Sequence, residues 1–435
     1  MRDLALVLTI AILVPLSVPF PLVGLFAWEW LSIMNPHRLT WGFSYQQPFV
    51  MIVALVTIIG WVLSRERGNL KPSFFLALLI IFSAWMSITT LYAPTPEITV
   101  PLWDRTIKTM IMIVMVLALV SNRVRIDGLV WVLVLSLAYY GIKGGGFVLL
   151  SGGANIVFGP KESMIEDNNT LALALLMVLP LMNYLRLQTP NRWLRYALAG
   201  GMFLTFIAAI GSYSRGAMVA LVAILGYLWL KSSAKLITAP ILVCLLMVGV
   251  MVMPAKYMDR LNTLENVMED ESFRGRLDAW EVAWEVAKDN PLGAGFEGPR
   301  QPVVWNDYLP DRQARAAHSI YFMVIGEHGF IGLGIYLLIF AVTWWNLFRI
   351  RKLTKAQPEL KWARDLGFAL EVSMVGFMVG GAALSMAYYD GFLTLVALTE
   401  IVRRLVQEAV NPAQRRAKIP VRTGAASTVR APAAA

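Results

Sequence analysis

Arg215, Arg276 and His318 are of types that hold a phosphate or accept a proton, and each stands beside a change from apolar to polar chain. Arg215 follows the turn-forming stretch Gly211 to Ser214, at the junction of two apolar runs. A tight turn gives its guanidinium little freedom, and a fixed fork of donors suits a phosphate. An arginine at a membrane boundary also snorkels to lipid phosphate, and that plainer reading stays open. Arg276 lies one turn before Trp280 on the apolar stripe of a helix that begins FRGRLDAW, a poor place for a charge unless an anion sits beneath. Arg274 points to a different side, and simple interfacial anchoring is the alternative for either arginine.

His318 opens a hydrophobic run after Ala316 and Ala317, with Tyr321 one turn on along the same expected face. The positive end of a helix disfavours protonation there, and a neutral imidazole is what a proton acceptor needs. A histidine that only hydrogen-bonds at the interface would be placed the same way. Farther into that run, GEHGFIGLG holds Glu327 and His328, which fit either a proton relay or a structural kink satisfied by its neighbours. Upstream, GPKESMIEDNNT puts Lys161 and then Asp167, Asn168 and Asn169 directly before an apolar helix, as an ordinary cap or as a polar floor for a ligand's headgroup. Metal chemistry is poorly supported, because His37 is far off in sequence and the acidic run 269–271 lacks ligand spacing. No metal and no cofactor are expected. GIKGGG at 141–146 lacks the spacing of a phosphate loop and reads as a flexible helix end.

The elements that must position these residues are hydrophobic helices. Of 435 residues, 57% are hydrophobic and only 15% charged, and the mean hydropathy is +0.61. That is the composition of a polytopic membrane protein, not of a soluble domain. A net charge of +10 would suggest nucleic acid in a soluble protein, but the basic residues fall in short loops and at the C-terminal end, so no nucleic-acid partner is expected. The run from Leu4 to Met34 is punctuated by Pro15, Pro19 and Pro21 and reads as one broken span; a cleaved signal peptide is the competing idea, without a charged n-region or a small-residue cleavage site. Further apolar runs recur at 48–64, 73–92, 102–121, 127–150, 169–187, 194–212, 214–231, 235–254, 318–346, 367–387 and 391–406, for about twelve spans in all.

The connections alternate in charge. SRERGNLK, NRVR, RLQTPNRWLR, KSSAK and FRIRKLTKAQPELKWAR are basic, whereas APTPEIT, GSYS and YYDG are almost free of positive charge. The positive-inside rule then sets both termini in the cytoplasm and turns 254–317 outward. The expectation is an all-α membrane domain over 1–410 with one large outward helical loop at about 254–317, and a disordered basic tail over 411–435. Within the loop, Leu277, Trp280, Ala283, Trp284 and Ala287 share one face of a helix stopped by Asn290 and Pro291, which is expected to lie along the membrane interface.

Taken in order, SRGA at a span start, RLDAW followed by NPLGAGF, and AHSIY ahead of EHGFIG resemble the O-antigen ligase and O-antigen polymerase superfamily of bacterial envelope glycosyltransferases, over roughly residues 100–345. The resemblance implies a metal-independent transferase of the multi-span, GT-C-like type in the inner membrane. Its donor would be an undecaprenyl-pyrophosphate-linked glycan at the periplasmic face. In the ligases, which this pattern is most like, the acceptor is the lipid A–core oligosaccharide. The family's essential arginines and histidine map onto Arg215, Arg276 and His318, with Arg274 a neighbour; Tyr321, Lys161, Asn168 and Asn169 are candidate substrate contacts. His328 departs from the apolar residue that related sequences often carry and is kept out of the site. The alternatives are a polymerase, a ligase to a protein or other acceptor, and, from a different class, a lipid-linked sugar flippase.

Overall fold

The computed structural model describes residues 2–66, 70–251 and 271–411. The expected basic tail, apart from Asn411, and the part of the expected loop at 254–270 lie outside the described residues. Within them the chain is helical and has no strand. In order it forms α1 (Arg2–Ser17), α2 (Pro21–Met34), α3 (Phe49–Leu63), α4 (Phe74–Leu91), α5 (Pro96–Leu119), α6 (Arg123–Leu150), α7 (Asn168–Gln188), α8 (Arg192–Ile210), α9 (Arg215–Lys231), α10 (Lys235–Met251), α11 (Glu271–Asp289), α12 (Ile320–Thr354), α13 (Lys361–Gly380) and α14 (Asp390–Val410).

Six helical stretches among the described residues are long and apolar enough to cross a membrane: α4, α6, α7, α8, α12 and the stretch 358–383 that contains α13. The chain is thus a polytopic membrane protein. The expected count of about twelve is not reached on length and composition, because α1, α2, α3, α9 and α10 are shorter, while α5 carries Asp104, Arg105 and Lys108 and α14 carries Glu400, Arg403 and Arg404. The proline-rich first run does break: α1 ends at Ser17 and α2 begins at Pro21, where the missing N–H leaves no hydrogen bond unmade.

Two expectations are corrected. GIKGGG is not a helix end but part of the interior of α6, which continues to Leu150. A Cβ at Gly141 would meet the Thr205 hydroxyl at 2.3 Å and one at Gly145 the Leu204 carbonyl oxygen at 2.0 Å, so these small residues let α6 and α8 approach backbone to backbone. The apolar face of α11 is likewise not laid on lipid. Ala279, Val282, Ala283, Val286 and Ala287 are buried against protein, and Trp280 stacks on Phe322 of α12 with ring centroids 4.8 Å apart. Only Trp284 stays substantially exposed, edge-on to Phe330. A period of 3.6 residues marks a face that must leave water without saying what covers it.

The joint that holds α11 is a break in α12. At Gly329 the backbone turns to φ 66°, ψ −174°. The carbonyls of Gly326 and Glu327 there accept hydrogen bonds from the N–H groups of Ala294 and Gly295, both at 2.9 Å, and the His328 carbonyl accepts from Trp85 Nε1 at 2.8 Å. Glu327 and His328 point into this joint. The carboxylate of Glu327 accepts from Tyr388 Oη at 2.6 Å and from the Glu297 N–H at 2.9 Å; His328 Nδ1 lies 2.7 Å from Thr89 Oγ1, with the ring buried beside Phe296. Glu327 and the Nδ1 side of His328 thus have the partners of a kink, while His328 Nε2 is buried without a hydrogen bond, 4.0 Å from Glu327 Oε2.

A Cβ at Gly329 would sit 1.9 Å from the Pro291 carbonyl oxygen in a left-handed backbone, whereas one at Gly334, on the same helix, meets nothing within 4 Å. Gly329→Ala is therefore expected to cost about 2–4 kcal/mol and Gly334→Ala almost nothing. Thermal midpoints of the two purified variants in detergent check this, and equal midpoints would remove the break from the architecture.

Candidate functional site

Four chain segments meet at the end of the bundle where α7, α9 and α12 begin. The first is the turn between α8 and α9. Ser214 caps α9, its hydroxyl accepting from the Ala217 N–H at 3.0 Å, so Arg215 is the first helical residue and its side chain is exposed. Tyr213 takes a left-handed backbone, φ 54°, and its hydroxyl donates to the Gly153 carbonyl, which ties the turn to the connection before α7.

The second segment is the start of α7. Asp167 is the cap, accepting from the N–H groups of Asn169 and Thr170 at 2.8 and 3.1 Å. Asn168 Nδ2 donates to the Ser212 carbonyl at 2.7 Å, joining this helix start to the turn that carries Arg215. The plain cap reading thus holds for Asp167, while Asn168 bridges two helix ends. Asn169 Nδ2 reaches Asn168 Oδ1 at 3.3 Å, and Lys161 is exposed in the connection upstream.

The third and fourth segments are the first turns of α11 and the chain that enters α12. Trp280 Nε1 donates to the Ala317 carbonyl at 2.7 Å and so fixes the residue before His318. His318 itself lies outside the helix: Ser319 is the N-cap, and His318 takes a left-handed backbone with φ 43°. For a residue with a Cβ that conformation is held only where the surroundings dictate it. The expected alignment of His318 with Tyr321 along one helix face is therefore not found. Tyr321 turns inward and its hydroxyl donates to the Met378 carbonyl at 2.9 Å.

The His318 ring reaches solvent at one side, yet the protein crowds it. Desolvation lowers its pKa first, the Arg276 charge lowers it further, Arg300 adds a smaller push in the same direction, and Asp167 opposes them. The charges of Arg276 and Arg300 in the loop, and of Asp167 at the start of α7, thus all act on one imidazole. Arg315 lies across Gly275, where an added Cβ would be 2.4 Å from its Cδ, so its stem is packed beside the turn that carries Arg276. Arg274 and Lys161 are exposed and are not among the charges that act on His318. Arg300 carries no signal in the sequence because its effect on His318 comes from the fold of 290–317, which has no periodic pattern. Asp167 was visible only as a cap.

The arrangement offers a neutral imidazole within the field of two guanidiniums, next to a helix start tied to a third at Arg215. That set accepts a proton on one side and stabilises developing negative charge on the other. Residues 200–337 match the family described as O-antigen ligase, and residues 1–189 match a family of unknown function. No curated protein matches the chain. The O-antigen ligase match spans the turn before α9, Arg215, α11, His318 and the break at Gly329, so over residues 200–337 the chain is similar to the O-antigen ligase and polymerase superfamily.

His318 is expected to titrate below the ordinary histidine value of about 6.5, and Arg276→Gln to move its pKa upward while Asp167→Asn moves it down. With the folded value depressed, the unfolded chain binds more protons in the window between the two, so this group makes stability rise with pH there. Imidazole chemical shifts of histidine-labelled protein followed against pH give the test. An unshifted His318, indifferent to Arg276→Gln, would contradict the geometry.

Proposed function

We propose that this chain is an O-antigen ligase that transfers a glycan from undecaprenyl pyrophosphate to the lipid A–core oligosaccharide at the periplasmic face of the inner membrane. The observation that carries the reading is His318, whose pKa desolvation and the Arg276 charge lower, inside the region that matches the O-antigen ligase family. In this reading residues 1–410 form one GT-C-like membrane domain with both termini cytoplasmic, and α11 with the chain to His318 faces the periplasm, as the charge of the connections suggests.

The reaction forms a bond from an acceptor hydroxyl oxygen to the anomeric carbon and breaks the bond from that carbon to the pyrophosphate oxygen. The hydroxyl proton passes to the neutral ring of His318, and the electron pair of the broken bond leaves with the pyrophosphate. Direct attack from the face opposite the leaving group inverts the anomeric centre. Arg215 and Arg276 clamp the departing pyrophosphate, supplying the positive charge that a divalent ion supplies in many sugar transferases, so transfer is metal-independent. Asn168 holds the start of α7 against the turn before Arg215 and keeps the clamp in register with the base. Arg274, Lys161 and Asn169 line the approach for the glycan and its phosphates.

Purified protein in proteoliposomes, given undecaprenyl-pyrophosphate glycan and lipid A–core with a chelator present, is expected to label the lipid A–core. Elongation of the donor in place of that product would make the chain a polymerase, and donor movement across the bilayer without transfer would make it a transporter. Arg215→Lys keeps the charge and loses the fork, and should slow transfer by about tenfold to a hundredfold. Because the neutral imidazole is the working form, the rate should fall as pH drops through the lowered pKa of His318, with the acid limb below about pH 6.5. A flat acid limb would leave His318 no role as base.

A further inference from the structure

At the other end of the bundle, α7, α8, α9, α12 and α13 enclose a cavity of about 690 Å³, within the roughly 300–1,000 Å³ typical of ligand pockets. Its walls are apolar and include Phe206, Leu225 and Leu347, and the exposed rings of Phe203 and Phe368 mark where it opens sideways toward lipid. Its far end is charged: Lys231, Arg351 and Arg364 stand there with Glu371 and Asp365. Helix α9 runs from Arg215 at the candidate site to Lys231 at this cavity, and 17 residues at about 1.5 Å each separate the two by some 25 Å. The cavity is therefore remote from the candidate site.

The charges at that end do not cancel. The buried carboxylate of Glu371 takes Tyr227 Oη at 2.7 Å, Arg351 Nη1 at 3.0 Å and Lys231 Nζ at 4.0 Å, which binds two cations to one anion and holds both at the rim. Asp365 is already engaged by Lys361 at 2.7 Å and Gln188 at 3.0 Å. Arg364 has no ion pair among the described residues. The rim therefore carries excess positive charge over an apolar chamber that opens to the bilayer, at the end of the bundle that also holds the basic connections KSSAK and FRIRK. A basic pocket between membrane helices on that side is complementary to an anionic headgroup.

We propose that this cavity binds one anionic phospholipid of the surrounding leaflet, its acyl chains against Phe206 and Leu225 and its phosphate among Lys231, Arg351 and Arg364. A zwitterionic lipid satisfies the chamber but leaves the rim's excess charge unmatched. The bound lipid fastens α7, α8 and α9 to α12 and α13, the two groups of helices whose opposite ends carry Arg215 and His318. The proposal is independent of the glycan-transfer reading, since it uses neither His318 nor the loop.

The test is native mass spectrometry of the delipidated full chain titrated with phosphatidylglycerol or with phosphatidylcholine of the same acyl chains. The expected result is one retained phosphatidylglycerol per chain, at a dissociation constant about tenfold or more below that for phosphatidylcholine. Arg364→Gln, which breaks no ion pair, should erase most of that preference. Leu225→Trp should fill the chamber and weaken retention of both lipids with the rim untouched, and it carries the test if Arg364→Gln fails to fold. Equal retention of the two lipids, an unchanged preference in Arg364→Gln, or unchanged retention in Leu225→Trp would overturn the proposal. Displacement of the lipid by excess inorganic phosphate would overturn it too, because the rim would then be reading the anion alone.

Discussion

The candidate site depends on unsatisfied backbone at Gly329. A helix of 35 residues drawn straight would run about 50 Å, well past a hydrocarbon core of roughly 30 Å. The break shortens the straight run and frees carbonyls that water cannot reach, and in a membrane protein those groups must find partners inside the chain. They find the N–H groups of Ala294 and Gly295. Gly293 and Gly295, both at positive φ, let that strand of backbone lie directly on the broken helix. Two sequence motifs some thirty residues apart are thereby a single joint, with Glu327 accepting from the Glu297 N–H and Tyr388 Oη beside it.

From that joint the loop is hung and aimed. Helix α11 is clamped between the first half of α12 and the small apolar core around Val282, Val286 and Trp305. Trp280, stacked on Phe322, then holds the carbonyl just before His318. Arg276 rides one turn ahead of Trp280 on the same helix, so the packing that fixes the indole also fixes how close the guanidinium comes to the imidazole. From the other side, Asp167 and Asn168 bring the α8–α9 turn to the same place. Two of the four segments that present site residues pass through left-handed backbone, at Tyr213 and at His318, a conformation stored where the packing around it leaves no other choice.

Most of the fold was legible because lipid imposes a simple rule: apolar runs of sufficient length become helices, and the ranges read from hydropathy fall within a few residues of α3, α4, α7 and α9. Periodicity could not tell lipid from protein as the cover for α11, so a helix packed on α12 was expected at the interface. The glycines of GIKGGG read as a helix end for a related reason, since close approach to Leu204 is a property of two helices and not of one. At the site, Arg215, Arg276 and His318 were chosen by residue type and by their place beside apolar runs, and those are local signals. Tyr321 had the right type and spacing but spends its hydroxyl on Met378, and Arg300 had no local signal.

The central claim is that a neutral His318 takes the proton while arginines hold the donor's phosphates. The most direct measurement is single-turnover transfer by His318→Ala beside the native protein, with donor binding measured separately on both. The expected result is undiminished donor binding with transfer slowed about a hundredfold or more. Transfer at the native rate by a folded His318→Ala protein would contradict it.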